Sequence, residues 1–441
     1  MKILSILIVL IFFQNCSFDN KSGIWKNDNY TGNKDKNYLE GFETLSSSNQ
    51  SFNKIIHIKN NFEFKLIEEI ESFGWKDPFS NSTNNYKNYI YKKQNNLILK
   101  SKKFTKYQLD DFILFENNYL ISNDKKGNLI IFSLNKDKVI QKFNFYKKKY
   151  KKFIKNLNLI IENNIIYVSD NFGYLYAYSI KESRILWAKD FKIPFRSNLK
   201  ILNDKIILAN QNNDLYFVNK RNGDLIKQIP TEENVIKNEF VNNLSLNKDF
   251  ILFLNTYGSL YAIDNKTLKI NWFLNLNRSL DLNPSNLFLG NQIINHENKI
   301  VVTSNKFLYI IDSLSGSINY RKNFSSFIKP TIISNYVFLI TKNNLLVSIN
   351  LNDGKIIYSY NINQKISEFL NIKKKSVEYK DLMIINSQIY IFLKNSYILT
   401  FDLKGKLLEI KKLPTKIKTY PIIIDGSILY MDRNNRLSVL N

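Results

Sequence analysis

Several residue types on which catalytic and cross-linked sites depend are scarce in this chain of 441 residues. It contains one cysteine and two histidines, His57 and His296. A single cysteine cannot form an internal disulfide. The two histidines lie in a polar N-terminal stretch and before a predicted strand, where surface or turn positions explain them better than a metal cluster or a catalytic pair. The chain also has no HExxH motif and no phosphate-binding glycine loop. We therefore predict no catalytic residues and no metal site.

Glycine and proline are also scarce, with 13 and 7 residues, so the turns must rely on Asn, Asp and Ser. Apolar residues make up 44% of the chain and aromatic residues 14%. This composition is typical of a folded protein with a sizeable core, and the frequent aromatic and isoleucine residues favour strands over helices. We predict a folded, β-rich chain.

Acidic residues are outnumbered by 63 basic ones to 38, which gives a formal net charge of +25. Such a charge would suit a nucleic-acid partner. However, Lys, Asn, Ile, Tyr and Phe are all used heavily together, as AT-rich coding produces, and no nucleic-acid-binding motif is present. We therefore predict lysines on solvated faces and no nucleic-acid partner. The densest basic run, Lys147–Lys152, falls in a predicted loop, where a weak contact with anionic lipid remains open.

The apolar run at the start of the chain is too short to cross a bilayer. Ile3–Phe13 is apolar apart from Ser5, follows the basic Met1-Lys2, and has the length of a signal-peptide core. Cys16 lies directly behind it. The segment resembles a bacterial lipoprotein signal, which implies removal of residues 1–15 and lipidation of Cys16.

Two neighbours of Cys16 bear on this resemblance. Asn15 departs from the Gly, Ala or Ser that the pattern prefers, and the alternative is an ordinary signal peptide with an incidental cysteine. Ser17 in place of Asp favours the outer membrane by resemblance to enteric sorting rules. Residues 16–60 are polar with little periodicity, so we predict a flexible tether that spans on the order of 35 Å. Residues 61–441 then form the folded domain.

A two-strand phrase recurs along the folded part of the chain. Each copy is an apolar strand, a polar turn and an alternating strand that ends near Asp, Asn or Ser. Eight copies begin about 37–52 residues apart. Their starting residues are Asn117, Asn163, Asn203, Lys248, Asn298, Asn335, Ser387 and Gly426. This period is that of a four-stranded propeller blade, with the phrase as one hairpin of each blade.

One copy, GSLYAIDNKTLKINW at residues 258–272, shows the expected roles. Gly258 is predicted in the hairpin turn, where a positive φ is free of steric cost. Asp264 is predicted to accept hydrogen bonds from the following turn. Trp272, like Trp187, Tyr320 and Tyr358 in other copies, is predicted to wedge between blades.

The phrase resembles the repeat of pyrroloquinoline-quinone-type β-propellers, A-x-D-x-x-T-G-x-x-x-W. Ala262, Asp264, Thr267 and Trp272 match it, whereas Leu268 replaces the glycine. The fold expected is all-β: an eight-bladed β-propeller of four-stranded antiparallel blades. The last copy stops at Asn441 without a final strand, so we predict that an N-terminal strand within residues 96–104 completes the eighth blade and closes the ring. The stretch from Phe73, FGWKDPFSNSTNN, resembles the tryptophan-bearing N-terminal segment of the same propellers.

Some propellers with this repeat are quinoprotein dehydrogenases. They resemble one another in a vicinal cysteine pair and in acidic calcium ligands at the centre of the ring, and a single cysteine in the signal excludes the pair. Cytosolic WD-type propellers would need glycine-histidine and tryptophan-aspartate pairs that are missing here. We predict a protein that is not an enzyme and holds no cofactor.

A lipidated, exported, eight-bladed propeller without a cofactor signature resembles the BamB family of the outer-membrane β-barrel assembly (BAM) complex. The resemblance implies a scaffold, lipid-anchored at the periplasmic face of the outer membrane. Its implied partners are the POTRA domains of BamA, other BAM components and unfolded outer-membrane proteins.

The family's contact loop carries an apolar residue followed by arginine, which Phe195 and Arg196 match; Glu239 is a looser acidic counterpart. The alternative is that Phe195 packs at a blade edge and Arg196 is solvated. Two other functions stay open: a periplasmic propeller with a different protein partner, or a quinone-binding propeller.

Overall fold

The computed structural model describes residues 16–18, 25–27, 52–65, 68–146, 150–233, 241–277, 288, 290–304, 306–373 and 376–441. The chain divides into two compact units, Met1–Gln50 and Ser51–Asn441. In the first unit, β1 (Cys16–Phe18) pairs antiparallel with β2 (Trp25–Asn27).

The second unit is a ring of eight antiparallel blades. β3 (Asn88–Tyr89) and β4 (Leu97–Lys100) precede the first complete blade. Blade 1 contains β5 (Leu114–Glu116), β6 (Tyr119–Asn123), β7 (Asn128–Ser133) and β8 (Lys138–Asn144). Blade 2 contains β9 (Leu157–Glu162), β10 (Ile165–Asp170), β11 (Tyr174–Ser179) and β12 (Arg184–Asp190). Blade 3 contains β13 (Lys200–Leu202), β14 (Lys205–Ala209), β15 (Leu215–Asn219) and β16 (Leu225–Ile229). Blade 4 contains β17 (Asn243–Leu246), β18 (Phe250–Leu254), β19 (Ser259–Asp264) and β20 (Ile270–Asn275).

The remaining blades follow in the same order. Blade 5 contains β21 (Ile294–His296), β22 (Lys299–Thr303), β23 (Leu308–Asp312) and β24 (Ile318–Lys322). Blade 6 contains β25 (Thr331–Ile333), β26 (Tyr336–Ile340), β27 (Leu345–Asn350) and β28 (Ile356–Asn361), which leads into helix α1 (Ile362–Leu370). Blade 7 contains β29 (Tyr379–Ile385), β30 (Gln388–Leu393), β31 (Tyr397–Phe401) and β32 (Leu407–Lys412), with β3 parallel to β29. Blade 8 contains β33 (Ile422–Ile424), β34 (Ser427–Met431) and β35 (Leu437–Leu440), and β4 supplies its fourth strand. The predicted all-β, eight-bladed propeller is confirmed.

The predicted hairpins are the two middle strands of each blade. β18 and β19 are buried along nearly their whole length, whereas the outer strand β20 is largely exposed. Middle strands are covered by a neighbouring blade on each face, so both sets of alternating side chains enter apolar seams. This explains why these strands read as almost continuous apolar runs.

The predicted wedges between blades are confirmed at three seams. The rings of Trp187, Trp272 and Tyr320 lie against glycines in turns of the following blade, where an added Cβ would come within 2.4–2.6 Å of ring atoms. The Trp272 Nε1–H also donates to the Ser313 carbonyl at 3.0 Å, and the Tyr320 hydroxyl donates to the Asn352 carbonyl at 2.7 Å. Each ring therefore fixes one blade to the next by packing and by a hydrogen bond.

The predicted closure by an N-terminal strand is also confirmed. β4 pairs antiparallel with β35, with Leu99 opposite Val439. Asn96 and Asn441 exchange backbone hydrogen bonds of 3.3 and 3.1 Å at the end of this pair. The eighth blade is thus built from both ends of the propeller sequence.

The folded unit begins before the residue at which the sequence predicted it. Residues 52–60 were assigned to the tether, but Ile56 forms a β-bridge with Ser359 on the outer strand of blade 6. The Phe52 N–H also donates to the Asn323 carbonyl at 3.2 Å. The exposed edge of an outer strand offers unpaired backbone groups that this segment satisfies, and its Phe52 and Ile58 side chains pack against buried apolar clusters.

Residues 75–89, the axial belt, run around one end of the ring axis and contact the inner strands in turn. Trp75 exchanges backbone hydrogen bonds of 2.7 and 2.8 Å with Phe115 of blade 1. Further contacts join Lys76 to Ile161, Asp77 to Lys200, Ser82 to Leu246, Thr83 to Asn295, Asn85 to Ile332 and Tyr86 to Asp381. These partners lie in or beside the inner strands of blades 2 to 7, so the belt covers the axial end at which the inner strands turn outward.

Candidate functional site

A cavity of about 530 Å³ is lined by residues of blades 1 to 5 and by residues of the axial belt. We call it the axial pocket. Pro78 and Phe79 of the belt contribute to its lining, and inter-blade loops and hairpin turns form its rim. A smaller cavity of about 190 Å³ adjoins it around Lys329, Asp381 and Tyr420. Phe79, Phe112 and Gln292 line both cavities.

The loop that carries Arg196 is held in place by hydrogen bonds to two blades. The Arg196 N–H donates to the Ala209 carbonyl at 3.0 Å, and the Arg196 carbonyl accepts from the Asn242 N–H at 2.8 Å. The Asn198 amide accepts from and donates to the Leu244 backbone, both at 3.0 Å. Because these bonds fix the loop, Arg196 is positioned before any partner binds.

Arg196 lines the axial pocket, and its Nε is buried without a hydrogen-bond acceptor among the described residues. The Gln292 Oε1 on the lining is likewise buried without a donor from the described part of the chain. By contrast, Lys125 on the rim forms an ion pair with Asp110 at 3.0 Å. Among the described residues, the pocket therefore offers a cation, Arg196, without a counterion and an amide acceptor, Gln292, without a donor.

The structure buries Phe195 between blades 2 and 3, where it also contributes to the lining of the axial pocket. Only 2% of Phe195 is exposed, and its ring packs against Phe191 and Tyr216 between blades 2 and 3. The sequence suggested an exposed interface anchor, with packing at a blade edge as the alternative, and the packed position is the one observed. Phe195 thus supports the loop while Arg196 faces the pocket.

The other predicted site residues are not brought to this pocket. Glu239 lies outside the described residues. Cys16 begins β1 in the first unit. Ile154, Val241 and Gln292, which line the pocket, carried no sequence signal because each belongs to a different inter-blade loop.

A buried charged cluster lies where the belt meets blades 6 and 7. The Tyr86 hydroxyl donates to Asp381 Oδ2 at 2.9 Å, and Lys329 Nζ lies 3.5 Å from the centroid of the Tyr86 ring. Burial lowers the pKa of Lys329 to about 7, although the Asp381 charge opposes this change. Burial also raises the pKa of Asp381 to about 6, against the opposing effect of Lys329. The negative face of the Tyr86 ring and the Asp381 carboxylate thus partly offset the cost of burying the Lys329 ammonium.

Neither a metal site nor a membrane-crossing helix is found where the structure describes the chain. Among those residues, no group of three or more His, Cys, Asp or Glu side chains could hold a metal ion. In the same part of the chain, no helix combines the length and apolar character needed to cross a bilayer.

Comparison with known families supports the repeat assignment. Residues 159–360 match the family model described as outer membrane protein assembly factor BamB. A comparison with curated protein sequences finds no significant match.

Two solved structures resemble the whole ring. BamB from Moraxella catarrhalis has a TM-score of 0.59 at 13% identity, and the alignment covers 78% of this chain and 100% of that one. The computationally designed Ika8 protein has a TM-score of 0.58 at 10% identity, with 78% and 99% covered. At these identities the structural likeness establishes the fold alone. Residues 159–360 therefore resemble the BamB family model, and the chain shares the fold of these two structures.

Proposed function

We propose that this BamB-like propeller is a non-enzymatic scaffold lipoprotein of the outer-membrane β-barrel assembly complex, held by lipidated Cys16 at the periplasmic face of the outer membrane. Its partners on this proposal are the POTRA domains of BamA, other BAM components and unfolded outer-membrane proteins. The match of residues 159–360 to the assembly-factor model carries the proposal. The lipoprotein-like signal of residues 1–15 supports the location.

The axial pocket supports binding rather than catalysis. The described residues that line it include no Ser, Thr, Cys or His, and its Asp110 and Lys125 side chains are paired with each other at 3.0 Å. What the rim offers instead is a pre-positioned arginine among fixed loops. Arginine is a frequent anchor of protein interfaces because its planar fork pairs well with carboxylates. Arg196 is therefore the residue that we assign to partner contact.

A mild-detergent pull-down of the tagged protein from its own cells tests the proposal, with partners identified by mass spectrometry. We expect recovery of a POTRA-bearing barrel protein, and weaker recovery with Arg196→Ala. Arg221→Ala is the matched control, because Arg221 is exposed in a turn on the opposite face. Consistent recovery of an unrelated partner would overturn the proposal in favour of a different periplasmic role. A stoichiometric quinone detected by titration would favour the cofactor-binding alternative.

A further inference from the structure

We propose that the axial pocket receives an apolar side chain of the partner together with an adjacent carboxylate. The partner then supplies the anchoring side chain, and this chain supplies the pocket that receives it. This inference rests on the proposed function as a protein-binding scaffold, and it names the chemistry that the partner must present. It follows from four features of the pocket.

The first feature is the burial of the expected anchor. Phe195 occupies the seam between blades 2 and 3 and is 2% exposed, so it cannot enter a partner. An interface at this loop must then obtain its apolar anchor from the other side. Interface energies concentrate where one large side chain fills a well-packed recess.

The second feature is the size and lining of the recess. Phe79, Phe112 and Leu114 supply apolar surface within a volume of about 530 Å³. Phe112 is itself fixed by stacking on Tyr420, with ring centroids 4.8 Å apart and planes 8° from parallel. Pockets of about 300–1,000 Å³ with fixed apolar walls are of the size that buries a compact ligand, and an aromatic or long aliphatic side chain fits within this range.

The third feature is the charge on the lining. Arg196 forms no ion pair with the described residues, and its buried Nε lacks an acceptor there. The Asp110 carboxylate on the same lining is already paired with Lys125. A carboxylate from outside would therefore find a guanidinium without competition, whereas a cation would find no free acid among the described lining residues. A backbone N–H of the same partner segment would satisfy the Gln292 Oε1.

The fourth feature is the rim, which favours a polypeptide over a free organic acid. Ile154 and Val241 stand at the opening with 65% and 50% of their surface exposed. A small molecule inside the pocket would leave these side chains in water. A chain segment lying across the opening would cover them while one of its side chains enters the pocket.

The test uses the full chain carrying Cys16→Ser, so that no acyl group contributes to binding. The probe is a fluorescein-labelled, amide-capped peptide, Gly-Ser-Phe-Glu-Phe-Glu-Ser-Gly, and binding is followed by anisotropy. One comparison peptide has Lys in place of both Glu residues, and another has Ala in place of both Phe residues. We expect at least tenfold weaker binding of either comparison peptide, since each lacks one of the two required groups.

Two variants place the contact. Arg196→Gln should weaken binding of the Phe-Glu peptide about tenfold or more and leave the Phe-Lys peptide unchanged. Val241→Trp should weaken the Phe-containing peptides by filling the opening, and its partly exposed position gives the larger ring room without disturbing the core. Arg221→Gln on the opposite face should have no effect. Thermal unfolding midpoints close to that of the parent chain show that each variant is folded.

Three outcomes would overturn the inference. They are equal binding of all three peptides, no binding of any, or phenylpropionate binding as tightly as the Phe-Glu peptide, which would indicate a small-molecule site. The pull-down separates this failure from failure of the proposed function. Partner recovery that still depends on Arg196 would keep the assembly role and reject only the pocket as the point of contact.

Discussion

Single side chains at the blade seams carry much of the rigidity of the ring. Trp272 packs against Gly316, whose φ is +73°, and donates to the turn that contains it. The ring in contact requires the absence of a Cβ at this position, and the left-handed backbone favours glycine there. The same pairing joins Trp187 to Gly223 and Tyr320 to Gly354, so one local solution is repeated around the molecule.

Replacing Gly316 with alanine should destabilise the protein by about 2 kcal/mol or more, because it combines backbone strain with a clash. The added Cβ would lie 2.6 Å from two Trp272 ring atoms. Gly74→Ala is the matched control: no positive φ is found there, and its nearest new contact would be 3.6 Å away. Differential scanning calorimetry of both variants measures the effect, and equal midpoints would refute the wedge.

The buried Lys329–Asp381 cluster should make stability depend on pH in opposite directions on either side of neutrality. The folded-state pKa of Lys329 is about 7, below its ordinary value of 10.5. Between these values the unfolded chain binds more protons, so stability should rise with pH, by on the order of 1 kcal/mol per unit. The folded-state pKa of Asp381 is about 6, above its ordinary 3.8, so stability should fall as pH rises from about 4 to 6.

The double variant Lys329→Met with Asp381→Asn isolates this effect, because neither new side chain ionises. Relative to the double variant, the wild-type midpoint should fall between pH 4 and 6 and rise between pH 7 and 10. Lys200, whose positive charge contributes to the lowered pKa of Lys329, is retained in both proteins. Parallel curves over both ranges would show that the cluster does not titrate as described.

Residues that repeat with the blade could be assigned from the sequence, and residues that do not repeat could not. Glycine recurs at the Gly258 position in two other copies, and aspartate recurs at the Asp264 position in two others. The structure shows the predicted positive φ of +86° at Gly258 and the hydrogen bonds that Lys266 and Thr267 donate to Asp264. Lys329 and Asp381 lie 52 positions apart in different blades with no motif around them. The sequence leaves both an exposed and a packed position open for Phe195, because the ring that it packs against, Tyr216, belongs to the next hairpin. A local sequence pattern does not show that contact.

At the scale of elements, the axial belt is the feature that the sequence revealed least. The stretch from Phe73 was recognised by its tryptophan, but its path around the axis depends on contacts with seven blades. Asn84 and Asn85 show why: their side-chain amides bond backbone groups of Leu244, Ile293 and Ile332. Polar, turn-forming residues of this stretch satisfy the backbone groups of the inner strands. These residues follow no hydrophobic periodicity, so the sequence pattern does not predict the path of the belt. The closing strand β4, in contrast, was predictable because the last repeat lacked a partner.

Removing the Asp77 carboxylate should destabilise the protein by about 3–5 kcal/mol, since it leaves the Lys200 ammonium buried without a counterion. The two groups are 2.6 Å apart, with at most 4% of either side chain exposed. Asp77→Ala with Lys200→Met should recover much of the loss. Glu182→Ala, which breaks the exposed pair with Arg184, should cost less than about 1 kcal/mol. Urea unfolding of the four proteins gives the comparison, and a single-variant cost no larger than that of Glu182→Ala would contradict it.

At the scale of the whole molecule, the proposed lipid anchor at Cys16 would determine where the ring can act. On our proposal, Cys16→Ala should release the protein from the membrane fraction, because acyl chains at this residue would be its means of attachment. Asn15→Gly restores the residue type that the lipoprotein pattern prefers, so it should leave membrane attachment intact. Fractionation of cells that express each variant measures this, and full membrane retention of Cys16→Ala would reject the anchor.

The joining of both chain ends in blade 8 has a consequence for how the protein is made. Residues 97–100 pair with residues 437–440, and Lys92 bonds Gly426, so the first part of the ring awaits partners from the last. A chain that emerges from its N-terminus first cannot close until its final residues have been released. Through that interval the edge of blade 1 and the belt have no complete ring to bind. Once β4 has paired with β35, the ring is closed. It can then open only when these two strands, which come from opposite ends of the propeller sequence, separate.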